Sequence, residues 1–342
     1  MQGAPSVAVV VVCHNSADDV ARSLPALGSQ LAPEDEVVVV DNASSDRTPA
    51  AARAALPRAQ VIEAGGNLGF AAACHVGARA SRSPLLLFLN PDAVPAAGCL
   101  QSLRAAADAR PGWGAWQALV TLPDGRHVNT DGNLVHWLGF GWAGGMGREL
   151  DGIDGGLSEV GFASGAALVV RRDAWDAAGG FYEPYFMYGE DLDLGLRLRL
   201  AGWASGVVPD ARVAHDYAFD KGAYKWFYLE RNRWWTVLGV YPGRLLALVL
   251  PALLAFELVL LPAAWRGGWL RAKLGAQAAV LRALPAMMRR RRAIQATQRV
   301  SASAFAASLT ASLDSPYLAG ARRVPGATAA QAAYWRVVRA LL

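Results

Sequence analysis

The chain has 342 residues, is 54% hydrophobic and carries a formal charge of +5. Length alone allows one large domain or two smaller ones, and the apolar content supports a sizeable core. Its cysteines, Cys13, Cys74 and Cys99, are odd in number and show no Cys-x-x-Cys spacing, which argues against a disulfide framework or a zinc knuckle and fits a reducing compartment. After Pro262 there are thirteen Lys/Arg and one acid, Asp314, so a basic C-terminal region of +12 follows an acidic body of −7. Such an asymmetry suggests a catalytic domain held against an anionic surface.

Val7–Cys13 is a continuous apolar run, which predicts a strand buried on both faces. No basic region precedes it and His14-Asn15 ends it, so a leader peptide is not expected. Asp18-Asp19 open a helix that ends near Gly28, with Val20, Leu24 and Leu27 on one face. A strand over Glu36–Val40 stops at Asp41-Asn42-Ala43-Ser44-Ser45-Asp46, and Thr48-Pro49 start a second helix. Ala59–Glu63 reads as a short strand. Gly65-Gly66-Asn67-Leu68-Gly69 lead into a helix through Ala80. Leu85–Leu89 is a fourth strand, ended by Asn90-Pro91-Asp92, and Ala97–Ala109 is helical.

This alternation predicts an α/β fold with a Rossmann-like, mostly parallel sheet and helices on both faces. Ligands of such sheets bind beyond the carboxyl ends of the strands, where His14-Asn15-Ser16, Asp41-Asn42 and Asn90-Pro91-Asp92 fall. Turn chemistry explains any one of these clusters, whereas three together point to a polar ligand. No Gly-x-Gly-x-x-Gly follows the first strand and no Gly-Lys-Ser/Thr phosphate loop occurs, so a metal on Asp92 is the economical way to meet phosphates.

Further on, Phe186-Met187-Tyr188-Gly189-Glu190-Asp191-Leu192-Asp193 packs three carboxylates into four residues. Mutual repulsion makes such a group a candidate site for a base or a cation, and Asp191 is the candidate general base. The plainer alternative is an acidic helix start that complements the dipole.

Taken in order, Val11-Val12-Cys13-His14-Asn15, Val40-Asp41-Asn42-Ala43-Ser44-Ser45-Asp46, Gly66-Asn67-Leu68-Gly69-Phe70, Leu89-Asn90-Pro91-Asp92 and Tyr188-Gly189-Glu190-Asp191 resemble the family 2 glycosyltransferases. The closer resemblance is to the rhamnosyltransferase-like branch of bacterial surface polysaccharide synthesis, over about Val7 to Tyr241. It implies a GT-A fold and inverting transfer from a nucleotide sugar, a dTDP- or UDP-sugar, to a glycan or polyprenyl-linked acceptor. On the family pattern His14, Asn15, Asp41 and Asn42 lie around the nucleotide, and Asn67 and Gly69 line its pocket. Asn90 and Asp92 belong to the diphosphate site, with Asp92 holding a divalent cation, Mg2+ or Mn2+. Asp191 is the base and Glu190 shapes the acceptor site. His215 falls where related enzymes place a further metal ligand, against the alternative of a structural histidine. Two departures stand out. Asn90 replaces the first acid of Asp-x-Asp, leaving the site one negative charge short. Cys74-His75 stand where relatives commonly carry Asn.

Between these motifs, Trp116–Val128 reads as a hairpin turning at Asp124-Gly125. Eight glycines from Gly139 to Gly156 predict a mobile segment, either a closing loop or a surface insertion. Gly161–Val170 returns to the sheet and Arg171-Arg172-Asp173 start a helix. Leucines at 192, 194, 196, 198 and 200 alternate like a strand. The resemblance instead requires a helix buried on two sides, ended by Gly202.

Phe219–Trp235 is rich in aromatics and arginine, which suits a membrane interface, with core packing of the tryptophans as the alternative. A nucleic-acid partner is not expected, given the acidic body. Leu245–Leu261 is apolar over 17 residues apart from Glu257, and Pro251 interrupts it. It is short for a span, and spanning would place the basic region on the wrong side. The expectation is a catalytic domain over 1–241 and a helical membrane-associating region over 242–342. The protein would be peripheral or monotopic on the cytoplasmic face, with Arg289–Arg292 meeting anionic headgroups. Other readings are a polyprenyl-phosphate sugar synthase and a catalytically silent sugar-nucleotide-binding scaffold.

Overall fold

A computed structural model describes residues 4–153, 155–216, 222, 224–311 and 327–342. Phe219, Arg322 and Arg323, which figured in the aromatic and basic segments, lie outside the described residues. The chain divides into two units. One takes in Met1–Asn133, Ala143–Leu198 and Trp203–Phe219; the other takes in Leu134–Trp142, Arg199–Gly202 and Asp220–Leu342.

The first unit opens with β1 (Val7–Cys13), α1 (Ala17–Gly28), β2 (Glu36–Asp41), α2 (Thr48–Ala55), β3 (Gln60–Glu63), α3 (Phe70–Arg79) and β4 (Leu85–Leu89). It continues with β5 (Ala93–Pro95), α4 (Cys99–Ala109), β6 (Trp113–Thr121) and β7 (Val128–Thr130). β8 (Asn133–Val135) and β9 (Gly141–Ala143) follow as a two-stranded sheet, most of which belongs to the second unit. The first unit closes with β10 (Ser158–Val160), β11 (Ala167–Arg171), α5 (Arg172–Ala178), α6 (Glu190–Leu200) and β12 (Ala204–His215).

The main sheet runs β10-β12-β6-β11-β4-β1-β2-β3. Pairing is parallel at β1–β2, β1–β4, β2–β3 and β6–β12, and antiparallel where β11 meets β4 and β6 and where β10 meets β12. Six of the eight strands on this path therefore share one direction, and β1, β2, β4 and β12 end on the same edge. The hairpin of β6 and β7 forms as expected. The return to the sheet is split, because β10 pairs at the outer edge and only Ala167 onward enters the centre.

β1 is apolar at every position because both of its faces are covered. Val7, Val9 and Val11 pack in one layer with Val20, Leu24 and Leu27 of α1 and Leu100 and Leu103 of α4. Ala8, Val10 and Val12 pack in the other with Ala71 and Cys74 of α3, Trp175 of α5, and Leu194 and Leu198 of α6. All five alternating leucines are buried on α6, an all-round burial that explains why they show no helical stripe. The three cysteines are free and buried.

The glycine-rich stretch is more ordered than its composition implies. Gly147 N–H donates to Val128 O (2.9 Å), Val128 N–H to Arg148 O (2.9 Å) and Leu150 N–H to Arg126 O (3.0 Å). Gly145 sits at φ +67, and a Cβ there would come within 2.3 Å of Asp131 Oδ2. Close approach to a carboxylate, rather than mobility alone, accounts for that glycine.

The second unit contains α7 (Tyr224–Val240), α8 (Gly243–Arg266), α9 (Leu270–Ala296), α10 (Ala302–Ala307) and a C-terminal helix, Ala327–Leu341. Pro251 does not interrupt α8, which runs through it and Pro262 for 24 residues. By length and composition α8 could cross a membrane, yet Leu245, Val249, Leu253, Phe256 and Leu260 form a buried stripe of helical period. Each such side chain contributes about 1.5–3 kcal/mol on burial. Glu257 is paired rather than exposed, for Arg233 and Lys273 both bridge it and also reach Glu230, at 3.1 and 2.5 Å respectively. Trp234 and Trp235 are buried, so packing accounts for them. Arg291 is likewise occupied within the protein, where Nη1 donates to Leu238 O and Tyr241 O at the end of α7 (2.8 Å each). It is therefore set apart from the four-arginine run expected to face headgroups.

Candidate active site

The common strand direction brings the polar strand ends together. At the end of β1, Asn15 takes a left-handed φ of 54°, and its Oδ1 accepts from Ser45 N–H (2.7 Å) and Ser45 Oγ (3.1 Å). His14 Nδ1 lies 2.9 Å from Asn42 O. Asn42 is buried and spans to the glycine loop, with Nδ2 donating to Asn67 Oδ1 (3.1 Å) and Oδ1 accepting from Leu68 N–H (2.8 Å). Asn67 Oδ1 also accepts from Gly69 N–H (3.0 Å), so both asparagine side chains shape the loop. Asp41 is buried with Oδ2 taking Ser44 N–H (3.2 Å), while its Oδ1 has no hydrogen-bond partner among the described residues. A buried acceptor without a partner costs about 1–3 kcal/mol, which makes Oδ1 a candidate acceptor for a ligand donor.

Gly69 ties this cluster to the acidic motif. Its φ is +79, and a Cβ would meet Phe186 Cδ2 at 2.4 Å and Phe186 O at 2.7 Å, so only glycine allows the approach. Phe186 and Tyr188 themselves sit at φ 65° and 66°. With Asn15 and Ala43 they are the non-glycine residues of positive φ among the described residues, and all four lie in these loops. Strain of about 1–3 kcal/mol per residue, concentrated here, is characteristic of a functional site.

The three carboxylates at the start of α6 then part company. Asp193 is fully buried and neutralised, its Oδ1 accepting from Tyr185 OH (2.9 Å) and its Oδ2 from Arg197 Nε (2.7 Å). Arg197 also donates to Ala178 O and Gly180 O, both at 2.7 Å. That structural role was missed from the sequence, although the i,i+4 spacing of Asp193 and Arg197 on a helix signals it. Among the described residues no cation pairs with Asp191. Its Oδ2 accepts from Gly165 N–H (3.0 Å) and its Oδ1 from Leu192 N–H (2.8 Å). Burial is the main cause that holds its pKa above the ordinary value, against those two hydrogen bonds. Glu190 is 8% exposed, and its Oε2 is buried without a hydrogen-bond partner among the described residues. Desolvation first, and the neighbouring Asp191 second, push its pKa up to about 8. Burial thus favours the protonated form of Glu190 near neutral pH.

Asn90 joins this centre through the backbone, its N–H donating to Ala166 O (3.0 Å), one residue past the Gly165 that binds Asp191. Its amide Nδ2 lies 3.3 Å from His215 Nε2, and Asp92 Oδ1 lies 3.1 Å from the same nitrogen. Pairing of β5 with β12 sets Ala93 opposite His215 and makes this meeting possible. Among the described residues, no cluster of three His, Cys, Asp or Glu side chains gathers as a complete metal cage. A carboxylate suits a hard divalent ion that keeps waters and phosphate oxygens as its other ligands, and an imidazole beside it favours Mn2+ over Mg2+. Two neighbouring ligands at octahedral distances stand about 3 Å apart, which Asp92 and His215 match.

Residues 8–175 match the family model "Glycosyl transferase family 2". Over 236 residues the chain is 31% identical to an N-acetylglucosaminyl-diphospho-decaprenol L-rhamnosyltransferase of Mycobacterium tuberculosis, covering 63% of this chain and 77% of that protein. The chain belongs to glycosyl transferase family 2. Solved structures agree on the fold. GalNAc-T7 with UDP, GalNAc and Mn2+ superposes with a TM-score of 0.58 at 14% identity, over 71% of this glycosyltransferase and 49% of that chain. The 1–349 fragment of S. aureus TarS with UDP gives a TM-score of 0.53 at 19% identity, over 98% of this chain and 90% of that one. The sheet of this glycosyltransferase is accordingly the GT-A fold.

Proposed function

We propose that this glycosyltransferase inverts configuration as it moves a sugar, rhamnose in the first instance, from a nucleoside-diphosphate donor to a hydroxyl of a lipid-linked glycan. The observation that carries this reading is Asp191, a carboxylate without a cation, fixed by two backbone N–H groups beside a protonated Glu190. Asp191 removes the proton of the acceptor hydroxyl as that oxygen bonds to the anomeric carbon and the bond to the diphosphate breaks. Glu190 spares the site a second negative charge and offers a carboxylic O–H to the acceptor. His14, Asn15, Asp41 and Asn42 surround the nucleoside, where Asp41 Oδ1 is free to accept from it. Asp92 and His215 would hold a divalent cation, Mg2+ or Mn2+, which offsets the charge of the departing diphosphate.

The lipid-linked acceptor and the membrane draw support from the M. tuberculosis relative and from the apolar α8. Use of a cytoplasmic nucleotide sugar places the protein on the cytoplasmic face. The reading is tested with purified protein, a nucleotide-sugar panel and a synthetic lipid-diphosphate acceptor. Transfer from one donor with inversion at the anomeric carbon is expected. Asp191→Asn should bind that donor normally and lose at least about 100-fold in turnover. Near-normal turnover by a folded Asp191→Asn protein overturns the assignment.

A further inference from the structure

A groove of about 560 Å³ opens on the second unit. Its lining includes Trp234 of α7, Leu254, Leu258 and Leu261 of α8, and Leu281 and Leu284 of α9. Polar groups on the same wall are committed to one another. Gln277 Nε2 donates to Glu257 Oε2 (2.8 Å), Trp234 Nε1 donates to Glu257 Oε1 (3.1 Å), and Lys273 bridges Glu257 and Glu230. With Arg233 the cluster holds two anions and two cations. It offers no unmatched charge, so a polar ligand gains little there and an apolar one suits the walls. At the rim Leu254, Leu258 and Leu281 are 55%, 69% and 66% exposed, an apolar surface that marks a binding site.

Beyond the groove, α9 turns cationic. Residues 11 apart on a helix point within about 20° of each other, so Arg292 follows Leu281 on one stripe about 16 Å further along. Met288 lies between them and is exposed. Arg289 and Arg292 are exposed and make no ion pair among the described residues.

We propose that this groove holds the isoprenoid chain of a polyprenyl-phosphate-linked acceptor, with its anionic end against Arg289 and Arg292. The inference rests on the reading that the acceptor is lipid-linked. A groove between two helices suits one long chain, and unpaired arginines at its end suit a head with concentrated negative charge. A two-chain zwitterionic phospholipid matches neither feature.

The test uses the full chain in detergent micelles and a polyprenyl monophosphate that carries a photoreactive benzophenone at its far end. Cross-links are expected on α8 and on Lys273–Leu284, displaced by unlabelled polyprenyl phosphate and not by phosphatidylcholine. Leu258→Asp at the exposed rim should weaken binding about tenfold or more, as loss of a leucine-sized apolar contact implies. Val259→Asp, one residue on and not part of the groove, should leave binding unchanged, with far-UV circular dichroism checking both folds. Arg292→Gln should weaken binding of the phosphate but not of uncharged polyprenol. Equal displacement by phosphatidylcholine, or equal loss in both aspartate variants, overturns the proposal in favour of a general lipid surface. Sedimentation as a dimer with the groove protected overturns it in favour of a second copy. Neither donor nor turnover enters this measurement, so intact labelling without sugar transfer would count against the glycosyl-transfer reading alone.

Discussion

Replacing Glu190 by Gln removes a titratable group from a buried position while keeping its shape. In the folded chain Glu190 keeps its proton up to about pH 8, whereas its ordinary value is 4.5. Between those values the folded state binds one more proton than the unfolded state, so this group makes stability fall as pH rises. At about 1.4 kcal/mol per pH unit the interval amounts to about 5 kcal/mol, reduced to about 3–5 because the nearby Asp191 shares the effect. For a unit of this size that is roughly 10 °C in Tm. Glu190→Gln cannot ionise and should not show this slope. Asp193 also faces Glu190, but Arg197 neutralises it in both proteins, so it cancels in the comparison. Thermal unfolding of the two proteins from pH 5 to 9 is the assay. Glu190→Gln should gain on the wild type up to about pH 8 and level off above it, and the alkaline limb of the turnover profile near pH 8 should vanish. A stability difference that is independent of pH would refute both the raised pKa and the division of labour between Glu190 and Asp191.

Other substitutions separate the remaining roles. Asp193→Asn leaves the Arg197 guanidinium, which is 5% exposed, without its carboxylate and should cost about 3–5 kcal/mol in chemical denaturation, in contrast to Asp191→Asn, which should unfold near the wild-type midpoint. Asp92→Ala and His215→Ala should each abolish the divalent-ion dependence of donor binding, measured by calorimetry with and without chelator. Donor binding that ignores both chelator and substitutions would indicate a metal-free site. Arg289→Gln with Arg292→Gln should weaken binding to anionic vesicles by about 1 kcal/mol per charge and vanish as an effect at high salt, whereas Arg291→Gln should lower stability instead, through its bonds to Leu238 O and Tyr241 O.

Much of the first unit was legible in the residues. The uninterrupted Val7–Cys13 run marks a strand covered on both faces, because only the centre of a sheet dries both sides of a chain. Asp and Asn at the ends of β1, β2 and β4 were expected on one edge, and they share it because parallel strands carry their carboxyl ends to one side. Neither argument reached the long strand β12, whose pairing with β6 shifts register between Val208 and Arg212. Nor did periodicity decide α6, since a helix buried all round has no polar face to report its period.

Tertiary structure alone decided how like residues divide. Glu190, Asp191 and Asp193 are equivalent on paper, yet Arg197 and Tyr185 claim Asp193, and among the described residues the other two have no cation. Arg291 is set apart from Arg289 and Arg292 in the same way, by carbonyls at the end of α7. Glu257 looked like a flaw in an apolar helix until Arg233 and Lys273 met it from α7 and α9. Residue type and local period determine which segments bury and which can carry charge, because those depend on each side chain's own hydration. Which charge is left free for chemistry depends on partners distant in sequence, and only the folded chain supplies them.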